Sequence, residues 1–297
     1  MKTLDVLIPH YNDLLGLKTS LWSVKKQTWN GPRRIVVVDD GSSNDVRRRL
    51  QQIQEKYNFV LLLNSENRGR PYSRNRLLDA IESKYVSWLD AGDEWYPSKL
   101  ENQFGTIDDI ESLDTKKRAW ITTNYDWIWK GGITKKTLQR TDGDQIKNLL
   151  IGTSLRAYLW TLLGTAESFK MVGYFDERLP RLQDLDYFIR FQLHGGRIYN
   201  TNSSEEPLCA YHKSDDGRNA LQIRDCNKII FDKHRTLYNR YGADFVKMRL
   251  FKMEMLSWRF AHNNSDRRLA RRYMAIAAYT RPNAFLQHCL RKRGIRP

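Results

Sequence analysis

Three times within the first ninety residues a short apolar run gives way to a segment of helical periodicity, and a fourth such run follows, an alternation that leaves few folds open. Leu4 to Ile8 reads as a strand, and Leu14 to Gln27 sets Leu14, Leu17, Leu21 and Val24 at helical spacing. Arg34 to Val38 predicts a second strand, Asp45 to Tyr57 a charged helix and Phe59 to Leu63 a third strand. Tyr72 to Ser83 predicts a helix through Leu77, Leu78 and Ile81, and Tyr85 to Leu89 a fourth strand. Such a pattern implies an α/β class in which parallel strands, joined by right-handed crossovers, are covered by helices on both faces.

Open parallel sheets bind ligands outside the carboxyl ends of their strands. The residues after each strand are therefore the expected place for chemistry, and here they are unusually polar. Pro9, His10, Tyr11 and Asn12 follow the first strand, and Asp39, Asp40, Gly41, Ser42 and Ser43 the second. Asn64 to Arg70 follow the third, and Asp90 to Asp93 the fourth. All should converge on one crevice.

Taken singly, each stretch has more than one reading. WLDAGDEW, from Trp88 to Trp95, is a solvated loop, a cap for a helix opened near Pro97, or a metal site. VVVDDGSSND is a buried strand ending in a turn, with Ser42, Ser43 or Asn44 as helix cap, or part of a binding site. NRGRPYSRN is a turn before a Pro-initiated helix or a ligand loop. Their common position at one end of one sheet favours a shared site.

The chain has no G-x-G-x-x-G after its first strand and no P-loop, which weighs against dinucleotide and P-loop chemistry. The crevice offers acids for a divalent cation, the ring of Tyr11, and Arg68, Arg70 and Arg74. Those groups suit a nucleoside diphosphate: a stacking surface for the base, and metal and arginine for the phosphates.

With 297 residues, 40% hydrophobic and 12% aromatic, the chain can bury a sizeable core. Cys209, Cys226 and Cys289 are too few and too scattered for a disulfide framework or a thiolate zinc site, so a cytoplasmic protein is expected. The N-terminus lacks a signal-peptide core, and no segment approaches the roughly 18 apolar residues of a membrane span.

Charge is unevenly spread. Residues 218–297 carry nineteen Lys and Arg against five Asp and Glu, which is nearly all of the net +16. Phe245 to His262 and Arg267 to Thr280 predict helices, the second with Leu269, Tyr273 and Ile276 on one face and Arg268, Arg271 and Arg272 elsewhere. Such a region either lies on an anionic membrane surface through residues 263–297 or packs as a helical cap with a solvated basic face. A nucleic-acid partner is not expected, because no recognition motif accompanies the charge and the basic excess is segregated from the crevice. The expected parts are 1–110 and 111–217, two halves of one domain, and 218–297, a basic helical region.

The succession PHYN, QTW, IVVVDDGSSND, NRGRPYSRN, WLDAGDEWYPSKLENQF and VGYFDERLPRLQDLDYFIRF resembles the family 2 glycosyltransferases of the GT-A fold, over about residues 4 to 215. The resemblance implies a GT-A-type, Rossmann-like sheet, a nucleotide-sugar donor and inversion at the anomeric carbon. It also implies that Pro9 and Tyr11 border the base, that Asp40 hydrogen-bonds it and that Arg74 supports the nucleotide. Asp90 and Asp93 match the D-x-D-type element, with Asp93 as the direct contact to Mn²⁺ or Mg²⁺. Gly92 departs from the family pattern, which has another acid there. Glu94 is expected at a helix start.

QDLD, residues 183–186, falls at the E-D-x-D position, so the resemblance makes Asp184 the base. A sugar hydroxyl is a poor nucleophile, and a carboxylate must take its proton as the bond forms. Asp186 is an accessory candidate, behind the base or on the acceptor, and Gln183 departs from the usual Glu. A helix N-cap at Asp184 is compatible with the catalytic role. AWITTNYDWIWKGGITKKTL predicts two strands about Gly131 and Gly132, with Trp120, Trp127 and Trp129 in the core or facing sugar. In AYHKSDDGRN, His212, Lys213 and Arg218 are possible contacts to metal or phosphate, or plain surface residues. The expected acceptor is a glycan or lipid-linked glycan. A pyrophosphorylase would need a Gly-rich N-terminal loop that the chain lacks. A silent sugar-nucleotide-binding module is the other alternative.

Overall fold

Of the apolar runs of the first ninety residues, the first and fourth become strands buried on both faces, while the third lies part-exposed at the edge of its sheet. β1 (Leu4–His10) is buried at every position and β2 (Arg33–Asp39) over its last four residues. In this computed structural model the described residues are 1–292 without 111, 130, 131, 133, 202–204 and 213–218. Between the strands lie α1 (Leu14–Lys25) and α2 (Asn44–Tyr57), followed by β3 (Val60–Leu63), α3 (Arg70–Asp79) and β4 (Tyr85–Trp88). The third helix starts two residues before the expected Tyr72, because Pro71 fits the first turn, where its missing N–H is not needed. It ends at Asp79, not at Ser83.

The chain continues through β5 (Glu94–Trp95), α4 (Lys99–Asp109), α5 (Leu113–Lys117), β6 (Ala119–Thr122), β7 (Tyr125–Ile128) and β8 (Thr134–Thr137). Then come α6 (Gln145–Ile151), a short 3-10 turn at Leu159–Thr161, β9 (Leu163–Thr165), α7 (Ala166–Val172), α8 (Gln183–Leu193), β10 (Arg197–Asn200) and β11 (Cys209–His212). Among the described residues these strands form two sheets, ordered β10-β6-β9-β4-β1-β2-β3 and β5-β11-β7-β8. In the larger sheet only β9 runs antiparallel to its neighbours.

The segment expected to form two strands yields three. β6 joins the large sheet beside β9 and β10, while β7 and β8 form a hairpin in the small one. Glu94, expected at a helix start, lies in β5 opposite Ala210, and the helix opens only at Lys99. Sheet pairing with a strand more than a hundred residues away overrides the local helix signal.

Two apolar clusters cover the two faces of the large sheet, one holding Leu4, Val6, Ile8 and Phe104, the other Leu7, Val36, Trp88 and Trp120. Trp120 is fully buried and stacks on Phe191 at 3.6 Å between centroids, so it belongs to the core. Truncating such a ring to alanine costs roughly 3–5 kcal/mol.

The chain divides into two compact units, Met1–Glu177 with Gln183–Ser214, and Arg178–Leu182 with Asp215–Pro297. The second unit contains α9 (Ala220–Lys233), α10 (Arg235–Asn239), α11 (Ala243–Asn263), α12 (Arg267–Thr280) and α13 (Pro282–Lys292). Within it Ala270 and Tyr273 of α12 pack with Phe260 and Ala261 of α11, and Leu269 and Ile276 join that cluster. The apolar face of the basic helix is thus already covered, while Arg268, Arg271 and Arg272 are exposed. Among the described residues no helix is long and apolar enough to cross a membrane. The three cysteines are unpaired.

Candidate active site

The register of the parallel strands builds the site. β1 and β2 end together, His10 opposite Asp39. His10 Nδ1 lies 3.0 Å from Asp39 Oδ1, and His10 Nε2 accepts the backbone N–H of Asp13 at 3.2 Å. Because Nε2 accepts, the proton of a neutral ring sits on Nδ1 and is donated to Asp39. Asp39 also accepts from Ser42 Oγ, Ser42 N and Arg47 Nε. Burial alone would raise its carboxyl, but the bonds from His10 and Ser42 outweigh it and hold the group below the usual range. Ser42 bonds to the aspartate and not to the imidazole, so this trio is a brace and not a nucleophilic triad. This role is not evident from sequence, although His10 and Asp39 hold the same second place in PHYN and VDDG at the ends of paired strands.

Asp40 reaches the other way. It accepts from Asn64 Nδ2 at 2.7 Å and from the backbone N–H groups of Arg68 and Gly69 at 3.1 and 2.9 Å. The loops after β2 and β3 are thereby fixed to each other. Pro9 is buried within β1, and Tyr11, just beyond it, is 49% exposed.

Arg74 lies on α3 and is fully buried. One amino group donates to both oxygens of Asp90 at 2.9 and 3.1 Å, and the other donates to Asp184. Arg70 adds a 3.5 Å ion pair to Asp90. Burial disfavours the Asp90 anion, yet the two arginines prevail and its carboxyl titrates below the ordinary value. Asp184, second residue of α8, titrates above it, because burial and the charge of Asp90 outweigh the attraction of Arg74. The backbone N–H of Leu159 approaches its second oxygen at 3.4 Å.

Asp93 is 4% exposed, and its Oδ2 is buried without a hydrogen-bond partner. Burial and the neighbouring Asp90 push its carboxyl well up, against the pull of Arg70 and the backbone N–H of His212. A sealed carboxylate oxygen with no donor, beside a second carboxylate, is a donor set that a divalent cation satisfies. Among the described residues no three His, Cys, Asp or Glu side chains form a metal cluster, so the remaining ligands would come from diphosphate and water.

Gly92 explains its own departure from the family pattern. Its φ is +99°, a conformation that strains any residue with a Cβ, and a Cβ on Gly16 would meet the Gly92 Cα at 2.9 Å. Ser20 completes the turn, its hydroxyl accepting from Gly92 N and donating to the Asp93 carbonyl.

The remaining expected residues divide. His212 stands 3.5 Å from Glu94 Oε2 and its backbone faces Asp93, which keeps it beside the acidic turn. Asp186 does not face an acceptor: its side chain is 1% exposed and accepts from Arg190 Nε at 2.9 Å, one helical turn on. Lys213 and Arg218 lie outside the described residues.

A family model for glycosyl transferase family 2 matches residues 5–160. The chain belongs to that family. The family 2 sequence is 31% identical over 145 residues to an uncharacterized glycosyltransferase, YibD, of Escherichia coli (strain K12), covering 49% of this chain and 40% of the relative. It is 30% identical over 159 residues to a putative teichuronic acid biosynthesis glycosyltransferase, TuaG, of Bacillus subtilis (strain 168), covering 50% of this chain and 58% of TuaG. To the amylovoran biosynthesis glycosyltransferase AmsB of Erwinia amylovora it is 26% identical over 219 residues, 70% of this chain and 69% of AmsB. The chain spans less than two thirds of the length of the first relatives it matches, 40%, 59% and 30%.

Among solved structures, S. aureus TarS 1-349 in complex with UDP-GlcNAc superposes with a TM-score of 0.61 at 15% identity, over 96% of this chain and 83% of that one. GalNAc-T7 with UDP, GalNAc and Mn²⁺ gives 0.57 at 15% identity, over 78% and 48%. At such identities the likeness is one of fold: this family 2 chain has the GT-A type of α/β architecture, with a helical C-terminal region.

Proposed function

We propose that this chain is an inverting glycosyltransferase that moves a sugar from a nucleoside diphosphate sugar, preferably UDP-linked, to a hydroxyl of a glycan or lipid-linked glycan. The observation that carries the reading is the buried Arg74, which links Asp184 to Asp90 beside the unpartnered oxygen of Asp93. Asp184 accepts the proton of the attacking hydroxyl; its raised carboxyl is a stronger base than an ordinary aspartate, and Arg74 fixes its direction. Arg68 and Arg70 are exposed and placed to pair with the diphosphate. Tyr11 offers a ring face to the base, with Pro9 and Asp40 at its border.

Asp93 would hold Mn²⁺ or Mg²⁺, and Asp90, kept ionised by the arginines, shapes the turn around it. Bound there, the cation stabilises the negative charge that develops on the departing diphosphate. UDP is favoured by the TarS complexes with UDP and UDP-GlcNAc, and surface-polysaccharide assembly by the names of TuaG and AmsB. Residues 263–297 would meet a membrane chiefly through charge, since most of the apolar face of α12 is occupied, with exposed Tyr279 and Leu286 as apolar contacts. That binding to anionic vesicles should fall with salt and on deletion of 263–297.

A thermal-shift screen of nucleotide sugars with and without Mn²⁺ tests the donor assignment, since a ligand that binds the folded state raises its midpoint. The expected result is a metal-dependent shift with a UDP-sugar and release of UDP on turnover. Release of pyrophosphate, or no shift with any nucleotide sugar, would sink the reading.

A further inference from the structure

Arg156 precedes the 3-10 turn that carries Leu159, and its backbone is pinned on both sides by the buried Gln139. Its N–H donates to Gln139 Oε1 at 3.0 Å and its carbonyl accepts from Gln139 Nε2 at 2.9 Å. The guanidinium is half-buried, with Nε sealed from solvent and unbonded. Its polar neighbours are the phenols of Tyr125 and Tyr158, and among the described residues it forms no ion pair with a carboxylate. The acids nearby are engaged: Asp126 accepts from Tyr96 at 2.9 Å and Asp184 from Arg74. Burial disfavours this cation and the two phenols offset that, so an incoming anion would be its first full counter-charge among the described residues.

The surroundings say what kind of ligand. Trp127, Tyr158 and Tyr211 present half-buried rings, with centroids 6.0 Å apart for Trp127 and Tyr158 and 5.0 Å for Trp127 and Tyr211. Buried Trp160 backs this wall, 5.5 Å from Tyr158 and 5.9 Å from Tyr211. Aromatic faces receive the C–H face of a sugar ring, and a guanidinium receives a carboxylate or phosphate in its planar fork. The wall adjoins the proposed base, because the phenol of Tyr158 contacts Arg156 and feels the charge of Asp184, and Leu159 N points to Asp184.

We infer that Arg156 and this aromatic wall bind an anionic sugar unit of the acceptor, a uronate or a phosphorylated polyol, next to the hydroxyl that Asp184 deprotonates. The inference rests on the transferase reading of the site and adds the charge of its acceptor.

Equilibrium binding by titration calorimetry to the full chain, saturated with UDP and Mn²⁺, tests it with three probes: a hexuronic-acid tetrasaccharide, a glycerol-phosphate oligomer and a neutral glucose tetrasaccharide. One anionic probe should bind about tenfold or more tighter than the neutral one, the size of one charge-assisted contact, and its identity distinguishes carboxylate from phosphate. Arg156→Gln should erase the preference and Arg156→Lys should retain part of it. Equal or undetectable affinity for charged and neutral probes overturns the inference, as does an Arg156→Gln protein that keeps the preference. Should Arg156→Gln fail to fold, Arg156→Lys decides the matter: a preference kept in full would assign the anion to the basic residues of 218–297 and overturn the inference. A chain that responds to no nucleotide sugar would defeat the transferase reading separately, and an anion preference would still stand.

Discussion

Arg74 donates to Asp184 across 110 positions of sequence, and the same guanidinium holds Asp90. One buried cation therefore orients the proposed base and the acid beside the metal turn together. Removing it would leave two facing carboxylates in a poorly hydrated site.

Asp184→Asn should reduce transfer by about 10² to 10⁴-fold, the usual contribution of a general base, while the UDP-dependent thermal shift persists. Since burial and Asp90 raise the Asp184 carboxyl, the acid limb of kcat/KM should lie at a higher pH than an ordinary aspartate gives. Arg74→Met should move that limb to higher pH, because burial and Asp90 would then be opposed by Arg70 without Arg74. Transfer by Asp184→Asn at the wild-type rate would remove its assigned role.

Asp93→Asn separates function from stability. The substitution removes a buried acid next to Asp90, so the metal-free protein should be as stable as wild type or more so, by about 1 kcal/mol. It should lose the extra thermal shift that Mn²⁺ adds to UDP. A variant that keeps this increment would exclude Asp93 as the ligand.

At Gly92 the backbone, and not the missing acid, is expected to govern the outcome. Both Gly92→Ala and Gly92→Asp should lower stability by about 1–2 kcal/mol, because φ of +99° is costly for any side chain. Urea midpoints measure this. An unimpaired Gly92→Asp would mean that the turn can readjust.

Lys99 gives a pH signature of its own. It is fully buried, with Nζ 2.8 Å from Gln103 Oε1 and over the Trp95 ring, and burial brings its ammonium down to about 7, against a small opposing pull from Cys209. Between pH 7 and the ordinary 10.5 the unfolded chain holds a proton that the folded chain has released, so stability should rise with pH. Burial pushes the Cys209 thiol up to about 12, so above pH 9 the unfolded chain loses that proton first and the trend is opposed. The useful window is pH 7 to 9. Lys99→Met should flatten the rise in urea midpoint across it, and an unchanged slope would assign the pH dependence elsewhere.

The first ninety residues were the legible part of the fold. Their helix and strand periods differ, and three strand-helix units followed by a fourth strand admit one sheet direction. Strands β6, β7 and β8 were harder, because their partition between two sheets depends on partners such as β10 and β11, some eighty residues on. Glu94 was misjudged for the same reason, since a local capping signal competes with distant pairing, whereas the start of α3 follows Pro71, a local signal read two residues late.

In the candidate site, sequence alone determined which acids and bases stand after which strands, and hence that they gather at one edge of the sheet. Only the tertiary structure decided their partners: Asp186 goes to Arg190, Asp184 to Arg74, and one oxygen of Asp93 to no hydrogen-bond donor among the described residues. Periodicity is a local property and can be read along a chain. Pairing between buried charges depends on register and depth, which arise only when distant segments pack and exclude water.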